Sequence, residues 1–204
     1  MKELIIIGAG GHGRVVADIA QKLGVYDTIA FLDDGEAKET MGVPIVGKTA
    51  DVQKYVKSAD IFVAIGNSQV RGAFIERLLL MGANIPALIH PSAIIGASVE
   101  IGAGTAVMAG AVINPCSKIG KGVIVNTCSS VDHDCTIEDC AHISVGAHIA
   151  GSVRVGAHTW IGIGGIVKNN ISICADCMIG AGAVVVKNIT ATGTYIGVPA
   201  KKIC

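Results

Sequence analysis

Aromatic residues are scarce: they make up 3% of the 204 residues, with one Trp, three Tyr and three Phe. A core therefore has to be built from aliphatic side chains. Net charge is also lacking, because 16 Lys and Arg balance 16 Asp and Glu. That balance excludes the basic footprint with which a protein neutralises phosphates, so no nucleic-acid partner is expected. No apolar run reaches the ~18 residues of a membrane helix, and the apolar Met1–Ile7 segment is too short and wrongly laid out for a signal peptide. No membrane partner is expected, and the expected location is cytoplasmic. What is abundant is small and aliphatic: 51% of residues are hydrophobic and 27 are Gly, a composition fitting a globular chain of one or two domains.

From Ile89 to Val185 every sixth residue is Ile or Val: 89, 95, 101, 107, 113, 119, 125, 131, 137, 143, 149, 155, 161, 167, 173, 179 and 185. A helix places apolar residues about 3.6 apart, and six is not a whole number of turns. In extended chain, residues two apart share a face. The aliphatic at position one and the small residue at position five, as at Thr105, Ala111, Ser117, Ser129, Cys135 and Thr159, then both point inward. The remaining two residues make a corner. Such a period predicts a hexapeptide-repeat parallel β-helix, with three short strands per coil of eighteen residues and the coils stacked. The frame is unbroken, which predicts no long protruding loop.

Residues 1–84 read as a small βαβ domain. Leu4–Ile7 is a buried strand that runs into Gly8-Ala9-Gly10-Gly11-His12-Gly13 and then a helical stretch from Arg14 to Ala20. Gly8, Gly10 and Gly13 match G-x-G-x-x-G in the strand–loop–helix context that lets backbone amides approach a pyrophosphate. A second strand, Ile29–Leu32, ends in Asp33-Asp34, where an acid would meet a ribose hydroxyl. A short helix is expected over 49–57, a third strand over 61–65, and a helix over 68–81 with Ser68 as N-cap. The unit is half of a dinucleotide-binding domain, sized for one nucleotide. Residues 85–204 form the repeat domain.

The period places side chains without a structure. His133 and Asp134 fall at positions three and four, on a corner, and eighteen residues on the same corner holds Gly151-Ser152, then Asn169-Asn170. An imidazole with a glycine amide one rung along suits a general base beside a carbonyl-binding donor. His142 falls at position six, outward on a strand, in a column with Ile124 and Trp160, on another side of the prism. The two histidines are expected to meet only if prisms associate. His148 shares a column with Ser130 and Ile166 and is expected to be structural or at an interface. Seven cysteines, an odd number, fit reduced thiols. Cys174 and Cys177 have zinc-like CxxC spacing, but no two cysteines lie a multiple of eighteen apart, and they read as core and corner fillers. No two of the six histidines share a coil column, which argues against a three-imidazole metal centre of the carbonic anhydrase kind on this prism. No metal is expected.

GAGGHG, the strand ending in Leu32-Asp33-Asp34, the prism segment Val131-Asp132-His133-Asp134-Cys135-Thr136-Ile137 and the ending Gly197-Val198-Pro199-Ala200-Lys201 together resemble the bacterial sugar acetyltransferases. These comprise the sialic acid O-acetyltransferases and the UDP-4-amino-sugar N-acetyltransferases of glycan biosynthesis. The resemblance covers nearly the whole chain. It implies an α/β Rossmann-like N-terminal domain followed by a left-handed parallel β-helix. It also implies acetyl-CoA as donor, a nucleotide-sugar acceptor, and a homotrimer with active sites between subunits. By that resemblance His133 is the general base, Asp134 its electrostatic partner, His142 a contact to the acetyl carbonyl or substrate, and Asn126 a neighbour in the same cleft. Gly10, His12, Gly13, Asp33 and Asp34 would face the nucleotide sugar. Coenzyme A would run past Ala150, Gly151 and Gly164 to Pro199, Ala200 and Lys201. The expected reaction is N-acetylation of a UDP-4-amino-sugar in a ternary complex. O-acetylation of a sialic acid or related hydroxyl, and a non-enzymatic nucleotide-sensing trimeric scaffold, are the alternatives.

Overall fold

The apolar run Leu4–Ile7 lies at the heart of a parallel sheet, with no solvent exposure at any of its four residues. The computed structural model describes residues 1–203, in two compact units, Met1–Pro91 and the chain from Ser92 onward. In the first unit, β1 (Glu3–Ile7), α1 (Gly11–Leu23), β2 (Thr28–Leu32), β3 (Glu39–Thr40), β4 (Val43–Gly47), β5 (Asp60–Val63) and α2 (Ser68–Leu80) follow in order. The sheet order is β3-β4-β2-β1-β5, with β2 and β5 both parallel to β1. Burial on both faces explains why β1 reads as an uninterrupted aliphatic run rather than an alternation.

Three local expectations change. Asn67 caps α2, its side chain accepting from the Val70 amide at 3.0 Å, while Ser68 is the first helical residue. Asn67 is extended, with φ −64 and ψ 120, so its side-chain Oδ1 reaches the amide three residues on. The helix expected over 49–57 is a 3₁₀ segment, Thr49–Lys54. The hairpin β3–β4 was not foreseen. It turns at Met41-Gly42, both with positive φ, and only the glycine announces such a turn.

In the second unit the periods of six become two-residue strands and four-residue corners, except that Cys177–Ile179 is a three-residue strand after a three-residue corner, and the corners are longer than the two residues expected. Three parallel sheets result. The first stacks Ile94–Ile95, Val112–Ile113, Ser130–Val131, His148–Ile149, Ile166–Val167 and Val184–Val185. The second runs from Glu100–Ile101 through Thr136–Ile137 to Ser172–Ile173, and the third from Ala106–Val107 through His142–Ile143 and Trp160–Ile161 to Gly193–Ile196, with Lys201–Lys202 added antiparallel at its end. Partners on successive coils are eighteen residues apart, as at Ser130↔His148 and His142↔Trp160, until Cys177–Ile179 pairs with Gly193–Tyr195, sixteen residues on. The prism is the left-handed parallel β-helix implied by the resemblance. Ile113, Val131, Ile149, Val167 and Val185 fill its axis.

The corners explain what small residues do here. Position four has positive φ on every period from Ser98 to Gly182, nine times without a glycine. That left-handed residue reverses the chain and lengthens the corner. Position-two glycines have another cause: a Cβ on Gly96 would stand 2.6 Å from the Pro115 nitrogen, and one on Gly102 2.6 Å from Lys121 nitrogen on the next coil. Hydroxyls at position five tie successive coils. Thr159 Oγ1 donates to the Cys174 carbonyl at 2.9 Å and accepts from the Cys177 amide at 3.1 Å, and Ser117 does the same for the Asp132 carbonyl and Cys135 amide. Among the described residues no helix is long and apolar enough to cross a membrane.

Candidate active site

The glycine loop follows β1, and its glycines divide their work. Gly8 has φ +99, and a Cβ there would stand 3.0 Å from the Ala64 carbonyl oxygen. Gly13 packs so closely that a Cβ would stand 1.9 Å from the Gly8 carbonyl oxygen. Gly10, the N-cap of α1, has open space around it and no side-chain cap. This opening beside a helix N-terminus is suited to an anion. His12 is half-buried in the first turn of α1. The two acids after β2 make internal bonds. Asp33 Oδ2 accepts from the Ala9 amide at 2.8 Å and Oδ1 from the Gly35 amide at 2.8 Å, so it ties its own loop to the glycine loop. Asp34 accepts from the Thr49 amide at 3.0 Å and hydroxyl at 2.8 Å, and those bonds, the amide first, hold its carboxyl below the usual range.

On the prism, His133 sits at the corner between the first and second sheets. Its Nδ1 meets Asp134 Oδ2 at 2.8 Å, which leaves Nε2 as the free nitrogen of the neutral ring. Asp134 has φ +58, a conformation Asp tolerates better than most residues. The ring lies over Gly151 on the next coil, where a Cβ would stand 2.6 Å from Nε2. The corner stacking read from the period is present: the Ser152 amide donates to the His133 carbonyl at 2.9 Å and the Asn170 amide to the Gly151 carbonyl at 3.1 Å. The Gly151 amide itself donates to no backbone carbonyl of the described residues. The hydrogen bond to Asp134, then the charge of Asp132, raise the His133 pKa above its ordinary 6.5.

A second cluster occupies the third sheet and its corner with the first. His142 Nε2 lies 3.0 Å from Asn126 Nδ2, and its ring stacks on Trp160 with centroids 5.1 Å apart and planes 18° from parallel. Asn126 is thus brought to His142 and not to His133, and within one chain the first sheet separates the two clusters. Trp160, Ile163, Ile166 and Met178 leave an exposed apolar border around this second cluster. His148 bonds Ser130 across the first sheet, at 2.9 Å.

The residues expected along coenzyme A are partly assembled. Ala150 and Gly151 share the His133 corner, whereas Gly164 stands at the next corner, between the third and first sheets. Pro199 and Lys201 line a 210 Å³ cavity with Lys187, Asn188 and Tyr195. Lys187 was not singled out from sequence, although it lies three eighteen-residue coils beyond His133 in the same column. Asp132 and its partner Asn114, another eighteen-residue pair, were missed in the same way: Asn114 Nδ2 donates to Asp132 Oδ1 at 2.8 Å. Cys174 and Cys177 are free thiols with sulfurs 3.5 Å apart, and burial, then the bond to Cys174, pushes the Cys177 thiol up to about 11.

This geometry can be set beside known proteins. Residues 3–78 match the family model of the PglD N-terminal domain. UDP-N-acetylbacillosamine N-acetyltransferase of Bacillus subtilis is 35% identical over 115 residues; the match covers 53% of this chain and about half, 52%, of that curated relative. The acetyltransferase domain of PglB from Neisseria gonorrhoeae is 41% identical, with a TM-score of 0.97 and full coverage of both chains, and its complex with acetyl coenzyme A matches at the same TM-score. PerB from Caulobacter crescentus, in complex with CoA and GDP-perosamine, is 36% identical with a TM-score of 0.94, covering all of this chain and 98% of its own. The chain belongs to this bacterial family of sugar N-acetyltransferases.

Proposed function

We propose that the protein transfers the acetyl group of acetyl-CoA to the amine of a nucleotide-linked amino sugar, with a UDP-4-amino-sugar as the acceptor, in a ternary complex without an acyl-enzyme. The observation that carries this reading is the His133 corner, where an oriented imidazole lies over a glycine whose amide is unused by the backbone. His133 Nε2 takes the proton of the sugar amine as its nitrogen attacks the thioester carbonyl. Asp134 fixes the Nδ1–H tautomer and stabilises the imidazolium that forms. The Gly151 amide steadies the oxyanion, which collapses as the coenzyme A thiolate leaves. Family likeness supports the donor and acceptor classes, since the Neisseria relative is described with acetyl coenzyme A and the Caulobacter relative with CoA and GDP-perosamine.

The active unit in this reading is a homotrimer. One chain holds His133 and the Asn126–His142–Trp160 cluster on opposite borders of its first sheet. A neighbouring prism, packed through the apolar border at Trp160, Ile163, Ile166 and Met178, supplies the second cluster to the first chain's base. Gly164, at that second corner, then reaches coenzyme A from the neighbour. Gly10 and His12 of the glycine loop face the nucleotide sugar, while buried Gly13 packs α1 against the Gly8 carbonyl and Asp33 and Asp34 shape the loops.

Thiol release from acetyl-CoA, measured with a panel of UDP-amino sugars, GDP-perosamine and free sialic acid, tests the reaction. The expected result is acetylation of an amine on a UDP-linked sugar, confirmed by product mass, and its loss by about 10²–10⁴-fold in His133→Ala. Thiol release with sialic acid alone would overturn the acceptor. Sedimentation of the intact protein as a monomer that still turns over would overturn the shared site.

A further inference from the structure

Asp132 precedes His133 and is held from three directions. Its Oδ1 accepts from Asn114 Nδ2 and from the His133 amide, each at 2.8 Å, and its carbonyl accepts from Ser117 Oγ at 2.7 Å. Asn114 and Ser117 both belong to the preceding coil, so the corner bearing the imidazole is tied to that coil at both ends of one residue. The fold alone does not ask for this. Position two on the same column is Gly96 two coils earlier and Ala150 one coil later, and the prism turns there equally well. The two bonds, that from Asn114 foremost, keep the Asp132 carboxyl below its ordinary range, so a permanent anion stands beside the ring.

We propose that Asp132, anchored by Asn114, is a positioning residue for acetyl transfer, holding the His133 imidazole at a fixed height over Gly151. The inference rests on the reading of His133 as base. With Nδ1 occupied by Asp134, the ring can still swing about its side-chain bonds. The clamp fixes the backbone from which it swings and supplies a second carboxylate that stabilises the imidazolium. Other groups facing the ring are few. The same corner holds Asn114, Pro115 and Cys116 on the preceding coil and Ala150, Gly151 and Ser152 on the following one, so Asp132 and Asp134 are the charged residues of this corner on the three coils, and Lys168 enters the column one coil further on.

Two variants separate charge from clamp. Asp132→Asn keeps an acceptor for the His133 amide and removes the charge, whereas Asn114→Ala keeps the charge and removes the anchor. Imidazole NMR titration of His133 in the intact 204-residue chain reads the first without turnover. The expected midpoint falls by about half a pH unit in Asp132→Asn, the size of one carboxylate acting at ~6 Å through water. In Asn114→Ala the expected change is a fall in kcat of about tenfold or more with KM for acetyl-CoA unchanged, because misplacement of a catalytic group acts on the chemical step. An unmoved midpoint in Asp132→Asn, or parent kcat in Asn114→Ala, overturns the proposal. His133→Ala is measured alongside: if it is inactive while both variants behave as the parent, the clamp fails and the base stands. If His133→Ala turns over normally, the base reading fails first. Thermal melting of each variant shows that the lost rate is not lost fold.

Discussion

Gly151 is the floor on which the His133 imidazole rests, since a Cβ at residue 151 would stand 2.6 Å from Nε2 and 2.7 Å from Cε1. No such contact is tolerable between non-bonded atoms, so a methyl group there moves the ring and not the backbone, which is bonded to the coil above through Asn170. Gly151→Ala is expected to fold, with a melting temperature near the parent's, and to lose about 10²-fold in kcat, as a shift of the base of about 1 Å would cost. Parent kcat in the alanine variant would show that Nε2 does not work from this position.

With His133 as the proposed base, the Asp134–His133 pair is expected to set the pH dependence. A base must be deprotonated to act, and the bond to Asp134, with the nearby charge of Asp132, raises the His133 pKa above 6.5. The acidic limb of kcat/KM is therefore expected above pH 6.5, with activity rising as pH rises through it. Asp134→Asn removes the larger cause. Its limb should move to lower pH while the plateau rate falls, because a weaker base with an unfixed tautomer transfers the proton less well. A pH–rate profile of kcat/KM for both proteins decides it, and a limb that moves upward or stays in place contradicts the assignment.

If the His142 cluster serves the proposed site, its stack on Trp160 is expected to matter for turnover. Trp160 is 43% exposed, and what it gives His142 is a flat surface at 5.1 Å while Asn126 holds Nε2. An aromatic pair of this kind contributes about 0.5–1.5 kcal/mol. Trp160→Ala is expected to lower kcat by a few-fold to about tenfold, and Trp160→Phe to restore most of it. Calorimetric binding of the nucleotide sugar should be unchanged in both, since that ligand is assigned to the glycine loop.

What the sequence could convey followed from periodicity. Eighteen-residue counting places His133 over Gly151 and His142 beside Trp160 because the prism has no insertion to break the count. The strand–loop–helix context likewise announces β1 and α1. What period alone could not convey is direction and partner. Asp33 and Asp34 stand where a ribose acid belongs, yet which oxygen turns to Ala9, Gly35 or Thr49 depends on how the loop after β2 folds back over β4 and the 3₁₀ segment. Position four needs a left-handed residue, and a sequence that fills it with Ser, Cys, His, Asp and Asn as well as Gly hides that demand. Asp132 escaped notice for a related reason: a carboxylate next to the more conspicuous His133-Asp134 pair looks like solvated surface until its bond to Asn114 on another coil is seen.

Gly10 and Gly13, three residues apart in one motif, should respond in opposite ways to the same substitution. A Cβ on Gly13 would stand 1.9 Å from the Gly8 carbonyl oxygen, a clash with backbone, with Phe31 at 3.4 Å. The only relief is to push α1 away from β1, and overpacking of a buried contact costs about 1–3 kcal/mol or more. Gly13→Ala is thus expected to lower the denaturation midpoint of the N-terminal unit and to weaken nucleotide binding as a consequence. A Cβ on Gly10 meets nothing within 4 Å, so Gly10→Ala should melt with the parent. It points instead into the space beside the N-terminus of α1, where a phosphate would approach the amides. Calorimetry with UDP is expected to show weakened binding in Gly10→Ala at unchanged stability, and full binding there would move the phosphates off this loop.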